Sequence, residues 1–265
     1  MRFFLVTLLA LVAVAPLSAQ RYLMKGNRVV NHADITIRDG KLVRTLTAGA
    51  TESFAFSDVL RLDFPEPAEI EQARALLVAG NGTEAFDKIL PVYRQFAPFS
   101  KVPGSWWPDA AMIRARALLA QEKFDEADRA AKEIISASID AERTASAQLL
   151  IAELQMRAKR PDLADAMLDS ILSKQSDSEI EARALILRGD IAYQRKNFER
   201  ALEYYLQVPT FYGTQEALLP AAILGSARAY KGYGDAARSE RAYLDLIVNF
   251  ASTSEATTAK AESQL

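Results

Sequence analysis

The stretch Arg188–Pro209, RGDIAYQRKNFERALEYYLQVP, decides how this chain is read. Its first part continues an apolar stripe that begins upstream. Ile180, Ala184, Leu187 and Ile191 recur at spacings of four, three and four, which is one face of a helix. Beyond a polar turn, Phe198, Ala201, Leu202, Tyr205 and Val208 form a second stripe. Asn197 stands at the turn, where its side chain suits a helix N-cap. Two stripes joined by a short turn predict an antiparallel helix hairpin.

The same arrangement recurs along the chain. LLAQEKFDEADRAAKEII places Phe124 and Ala127 as the first stretch places Phe198 and Ala201. QMRAKRPDLADAMLDSIL places Leu163 or Ala164 in that role, and AYKGYGDAARSERAYLDLI has Gly234-Asp235 at its turn and Ser239 at the small position. The small residues at 127, 164, 201 and 239 are separated by 37, 37 and 38 residues. An earlier copy, VAGNGTEAFDKILPVYRQF, has Ala85 in that place, 42 residues before Ala127, because APFSKVPGSWWP lengthens the linker. A small residue is needed where helices cross at roughly 8–10 Å, since a bulky side chain there would force them apart. A fixed period with two helices per copy predicts a mainly α, right-handed helical-hairpin solenoid of about five repeats over residues 65–252. An unrelated helical bundle is the alternative.

These copies resemble tetratricopeptide repeats. The resemblance is carried by Gly189 with Ala201, and by Ala227 with Tyr230, Gly234-Asp235, Tyr243 and LIVNF. The last copy is similar to repeats in periplasmic Tol-Pal-associated proteins and in the outer-membrane-assembly lipoprotein family. The resemblance implies that Phe124, Ala127, Ala164, Gly189, Phe198, Ala201, Ala227, Tyr230 and Tyr243 are packing residues. It also implies a curved surface whose inner face is lined by the first helix of each pair. In that register the inner-face candidates for partner binding are Asp109, Arg116, Glu153, Arg157, Arg183, Asp190, Tyr193, Arg228 and Lys231. Mixed charge of this kind suits an extended peptide or a partner helix.

Residues 20–64 have a different rhythm. RVVNHADITIRDGKLVRTL and ESFAFSDVLRLDF carry β-branched and aromatic residues at near period two. Asp39-Gly40 is a two-residue hairpin signal, and Gly26-Asn27 and Ala48-Gly49-Ala50 mark further turns. About five short strands are expected, as a small meander or barrel that leans on the region after residue 64. Pro65 and Pro67 close this module and open the first helix.

The first nineteen residues read as a signal peptide. Arg2 precedes an apolar run from Phe3 to Ala15, and Ser18-Ala19 offers a small-residue cleavage site before Gln20. That run of 13 residues is short of the roughly 20 needed to span a bilayer, although retention as an anchor is the rival reading. Cleavage near Ala19 predicts a periplasmic or secreted protein with no transmembrane segment. The chain has no cysteine, so neither a disulfide nor a lipidated cysteine at the cut site is available. Residues 253–265, TSEATTAKAESQL after Ala251-Ser252, form a polar tail whose composition suggests a frayed end.

Little in the composition points to chemistry. His32 is the only histidine, so a catalytic triad or a histidine-based metal site has no partner for it. Asp125, Glu126 and Asp128, and Asp177 with Glu179, fall at helix starts, where acids complement the positive end of the dipole. Asn81-Gly82-Thr83 matches a glycosylation acceptor but fits a helix-to-helix turn. Trp106-Trp107 and the loop around Phe211 and Tyr212 read as packing between repeats, with a partner contact as the alternative. Residues 20–64 hold seven basic and five acidic residues, too small an excess to suggest RNA binding, and the aromatic-basic interleaving of an RNA platform is missing. The expectation is therefore a non-enzymatic scaffold or adaptor with a protein or peptide partner in the cell envelope. It needs no cofactor, metal or nucleic acid, and self-association is open. A structural subunit of an envelope assembly, docked through the β module and the convex face, is the alternative. A carboxylate hydrolase is the third reading.

Overall fold

The computed structural model describes residues 20–46, 49–137, 140–174 and 177–263. The expected signal peptide and the turn residue Ala48 lie outside them. The described chain is mainly helical, with a small N-terminal β region of two sheets.

The β region has six strands rather than five: β1 (Arg21–Met24), β2 (Arg28–Asn31), β3 (Ile35–Arg38), β4 (Lys41–Thr45), β5 (Thr51–Ala55) and β6 (Val59–Asp63). They form two antiparallel three-stranded sheets, ordered β2-β1-β6 and β3-β4-β5. The extra strand arises because two segments are bent. Single 3₁₀ turns at His32–Asp34 and Phe56–Asp58 break β2 from β3 and β5 from β6, so each segment serves both sheets. Strands that change sheet at such corners give a near-orthogonal packing. Asp39 and Gly40 both take positive φ between paired Arg38 and Lys41, the turn that a two-residue hairpin requires. Arg28 on β2 reaches Glu52 on β5 at 2.7 Å and lies over the Phe54 ring.

Forty-odd residues bury too little apolar surface to stand alone, and this region shares its core with the helices. Tyr22, Met24, Val30, Leu42 and Leu62 belong to one buried cluster with Ile70, Phe96, Phe99 and Trp107. Leu62 donates its N–H to the Pro103 carbonyl at 2.9 Å, and Trp106 donates its indole N–H to the Phe64 carbonyl at 3.0 Å. The packing reading of the tryptophan pair is the observed one, with Trp107 buried at the start of a helix.

The helices are α1 (Ala68–Val78), α2 (Gly82–Phe96), α3 (Trp107–Ala120), α4 (Phe124–Ala137), α5 (Ala141–Arg157), α6 (Pro161–Leu172), α7 (Ser178–Gln194), α8 (Phe198–Phe211), α9 (Leu219–Tyr233), α10 (Ala236–Asn249) and α11 (Ser254–Ser263). Asp140, Asp177, Asn197 and Asp235 cap α5, α7, α8 and α10 through side-chain oxygens. Each helix packs on the next, and the odd-numbered helices also touch one another in order along the chain.

Five turns join α1 to α2, α3 to α4, α5 to α6, α7 to α8 and α9 to α10, and they share one geometry. Gly80, Glu122, Lys159, Lys196 and Gly234 take positive φ. The following residue donates its N–H to a carbonyl five residues back, as from Lys123 to Leu118, Arg160 to Gln155, Asn197 to Ala192 and Asp235 to Tyr230, at 2.8–3.0 Å. This is the Schellman closure of a helix end. The small residues expected at the helix crossings are buried. Ala85, Ala127, Ala164 and Ala201 are fully buried, and Ser239 is buried with its hydroxyl donated to the Ala227 carbonyl at 2.9 Å.

The polar tail differs from expectation. Residues from Ser254 onward form α11, which packs on α9 and α10 through buried Ala256 and Ala259. Two alanines are all the apolar burial it has, so a composition-based reading sees only a polar end.

Candidate functional site

The candidate site lies along the odd-numbered helices. Ala115, Ala152, Gly189 and Ala227 are buried at equivalent places on α3, α5, α7 and α9, each twelve residues before the small residue of the following helix. One residue further on, about 100° around the helix, stand Arg116, Glu153, Asp190 and Arg228. The period that packs the hairpins therefore also lines up four charged side chains, each half-buried.

The structure surrounds each of them differently. Burial pushes the Glu153 carboxyl above the ordinary carboxylate range, against the pull of Arg116, Arg183 and Arg157. Burial lowers the Arg116 guanidinium from its usual value, with Glu153 opposing, and its Nε has no hydrogen-bond partner among the described residues. Asp190 is raised by burial even though it accepts the Tyr205 hydroxyl at 2.7 Å. Arg228 is held by Glu262 of α11, with Nε and Nη2 at 2.9 and 2.6 Å from the carboxylate, and the Tyr243 hydroxyl donates to Glu262 at 3.0 Å. The arginine holds the Glu262 carboxyl below its usual range.

Glu153, Asp190 and Arg228 line one open groove of about 650 Å³ with Met156, Arg157, Leu187, Tyr193 and Gln194. Arg157, the last residue of α5, is exposed, and the Tyr193 ring meets Phe198 at 5.6 Å. Of the nine inner-face candidates, the structure brings Glu153, Arg157, Asp190, Tyr193 and Arg228 together there. Five of the nine make internal contacts, Asp190 with Tyr205 among them. Asp109 pairs with Arg74 of α1 at 3.1 Å, Arg228 with Glu262, and Lys231 donates to the Glu262 carbonyl at 3.3 Å. Arg183 pairs with Glu179 one turn away at 2.7 Å.

Sequence reasoning missed Glu262 and Gly225, and it read Tyr205 as a stripe residue without its bond to Asp190. The Tyr205 ring is wedged between two glycines: a Cβ at Gly189 would stand 2.4 Å from it, and one at Gly225 would stand 2.5 Å away. Gly225 in AAILGSARAY was the available signal, an isolated glycine inside a helical stripe. The packing residues otherwise fall where expected. Phe124, Phe198 and Tyr230 are half-buried beside the crossings, and Tyr243 is buried.

A second surface lies over α8, α9 and α10. Leu206, Pro209, Ile223, Ala242, Leu244 and Val248 line a largely apolar groove to which Arg238, Arg241 and Asp245 also contribute, with Leu206, Leu244 and Val248 exposed to 39%, 42% and 71%. His32 is a half-buried residue whose Nδ1 meets the Tyr22 hydroxyl at 2.8 Å. Among the described residues, no three His, Cys, Asp or Glu side chains converge as metal ligands, and no helix is long and apolar enough to cross a membrane. In comparisons with known proteins, no family model matches the chain, and no curated protein is significantly similar to it.

Proposed function

We propose that the helices form a right-handed tetratricopeptide-like solenoid of five hairpins closed by α11. The protein would be exported to the periplasm or beyond after cleavage near Ala19. There it would serve as a non-enzymatic scaffold that holds a polypeptide partner on the odd-helix face. The repeated turn geometry and the ordered contacts among odd helices support the solenoid. The observation that carries the binding reading is the groove lined from three successive odd helices, to which Glu153, Arg157 and Tyr193 contribute and where, among the described residues, Arg157 makes no ion pair within 4 Å. A groove built by stacked hairpins is continuous along their axis, which suits an extended segment or a helix better than a small molecule. A catalytic role finds no support in a chain with one histidine and no cysteine.

In-cell crosslinking of the tagged, exported protein, followed by mass spectrometry, tests this. One or two reproducible envelope partners are expected, captured less by Arg157→Glu and by Tyr193→Ala at unchanged protein level. The charge reversal avoids Arg228, whose replacement would release α11. Equal capture by both variants removes this face from consideration. The apolar groove over α8 and α10 favours a second reading, a structural subunit of an envelope assembly docked by its even-helix face and β region. In that case Val248→Glu, and not Arg157→Glu, abolishes co-purification.

A further inference from the structure

The surface of the even-numbered helices changes character along the chain. Five residues beyond the small crossing residue, α4 carries Lys132 and α6 carries Asp169, both charged and both in ion pairs inside the chain. At the same place α8 carries Leu206 and α10 carries Leu244, both exposed. The apolar groove opens between these last two helices, over α9.

One wall of the groove is α10. Ala237, Arg241, Leu244 and Val248 are exposed at spacings of four, three and four, a single stripe on the helix. The helix has 14 residues and so runs about 21 Å. Arg241 makes no ion pair and no side-chain hydrogen bond among the described residues. Asp245, one turn further on, makes no ion pair among them either, and accepts only the Asn249 amide at 2.6 Å. One charge of each sign is thus left unpaired on the same side of the helix.

Six residues of α10 line the groove: Arg238, Arg241, Ala242, Leu244, Asp245 and Val248. Two such helices laid antiparallel, about a two-fold axis level with Tyr243, bring together residues equally far before and after 243. That operation maps the six onto themselves. Arg241 of each copy meets Asp245 of the other. Ala242 meets Leu244, a small residue against a large one, which lets the helices approach closely. Arg238, whose guanidinium is tied to Asp235 at 2.5 Å, lays its aliphatic stem on Val248. No like charges are opposed among the six.

We propose that the groove is the docking site for α10 of a second copy of this chain, in an antiparallel two-fold pair. Each α10 lies in the groove of the other, against Leu206 and Pro209 of α8 and Ile223 of α9. A patch that is its own complement closes after two copies. Burial of Leu206, Leu244 and Val248 drives the contact, and the two Arg241–Asp245 pairs fix its direction and register. A parallel pair would set Arg241 against Arg241 and Asp245 against Asp245. The charged groove shares no lining residue with this one, so the proposal does not depend on what binds there.

Sedimentation velocity of the full-length exported chain over a concentration series tests the pairing. A dimer with a dissociation constant below about 100 μM is expected. Arg241→Asp and Asp245→Arg each oppose like charges twice across the axis, and each should weaken the dimer by about tenfold or more. An equimolar mixture of the two variants should restore it as a heterodimer, because every aspartate then faces an arginine. Leu244→Glu, beside the axis, should dissociate the dimer independently of that exchange. A parent chain that stays monomeric over the series leaves the face to an unlike partner and overturns the proposal. A dimer that none of the three variants weakens overturns it too, since the copies then meet elsewhere. A mixture no better associated than the separate variants, with both folded by circular dichroism, overturns the antiparallel register on which the proposal stands.

Discussion

Replacing Gly189 with alanine sets two well-understood effects against each other. Gly189 lies in the middle of α7, where alanine is favoured over glycine by about 1 kcal/mol on helix propensity. On that ground alone the variant is more stable. The new methyl, however, would stand 2.4–2.7 Å from Cε1, Cδ1 and Cζ of Tyr205, whereas carbon atoms rest at roughly 3.5–4.0 Å. The ring would have to move by about 1 Å. It cannot move away from α7, because the Gly225 backbone of α9 is as close on the other side. Sliding along the groove would cost the hydroxyl its bond to Asp190. Overpacking of a constrained site costs typically 1–3 kcal/mol and occasionally more. With the ring blocked on two sides we take the upper half of that range, which leaves a net loss of about 1–2 kcal/mol. Urea unfolding followed by helical circular dichroism measures it directly. The decisive comparison is in a Tyr205→Ala background, itself destabilised by about 3–5 kcal/mol, where the same change should become stabilising. A Gly189→Ala protein more stable than the parent would refute the wedge.

Glu153→Gln should stabilise the protein at neutral pH by about 1 kcal/mol, because a carboxylate poorly compensated on burial becomes a neutral amide. The folded chain keeps the Glu153 proton to higher pH than the unfolded chain does. Stability therefore falls as pH rises from the ordinary carboxylate range through the raised folded value. Thermal melts across mildly acidic to neutral pH should show that decline in the parent and a shallower one in the variant. Gly104→Ala should loosen the β region selectively. Its φ is +77°, and a Cβ there would stand 2.1 Å from the Leu62 carbonyl oxygen, breaking the Leu62–Pro103 seam. Hydrogen exchange of β1 and β6 should accelerate while that of α7 to α10 is unchanged; equal acceleration throughout would show the seam to be incidental.

The hairpins were legible because their signals are local. Asn197 caps, Asp39-Gly40 turns, and small residues recur at a period that the helix crossings impose. Failures came where the deciding contact is distant in sequence. SEATTAKAES shows no apolar stripe, and α11 exists through two buried alanines and a carboxylate bound 34 residues back at Arg228. The same contact engages Arg228 within the chain, although it still lines the groove to which the register had assigned it. Asp109 was lost in the same manner to Arg74, since a helix register predicts which way a residue points but not what waits there. In the β region the alternation was visible, but the bends at His32–Asp34 and Phe56–Asp58 were not, because a strand that changes sheets keeps its alternation on both sides of the corner. The groove was half legible: five of its residues were named from the register, whereas the Tyr205 wedge beneath it depends on glycines from two separate helices.

The five shared turns also have a practical side. Gly80 and Gly234 take their left-handed conformation freely, but Glu122, Lys159 and Lys196 take it with a side chain attached, at an energy of roughly 1 kcal/mol each. All three lie at hairpin tips, and none of them lines the charged groove or the apolar one. They are three separate adjusting screws: each hairpin can be firmed by a single glycine, one at a time, without touching any residue that a partner would meet. An engineer wishing to stiffen one end of this protein and leave the other compliant would begin there.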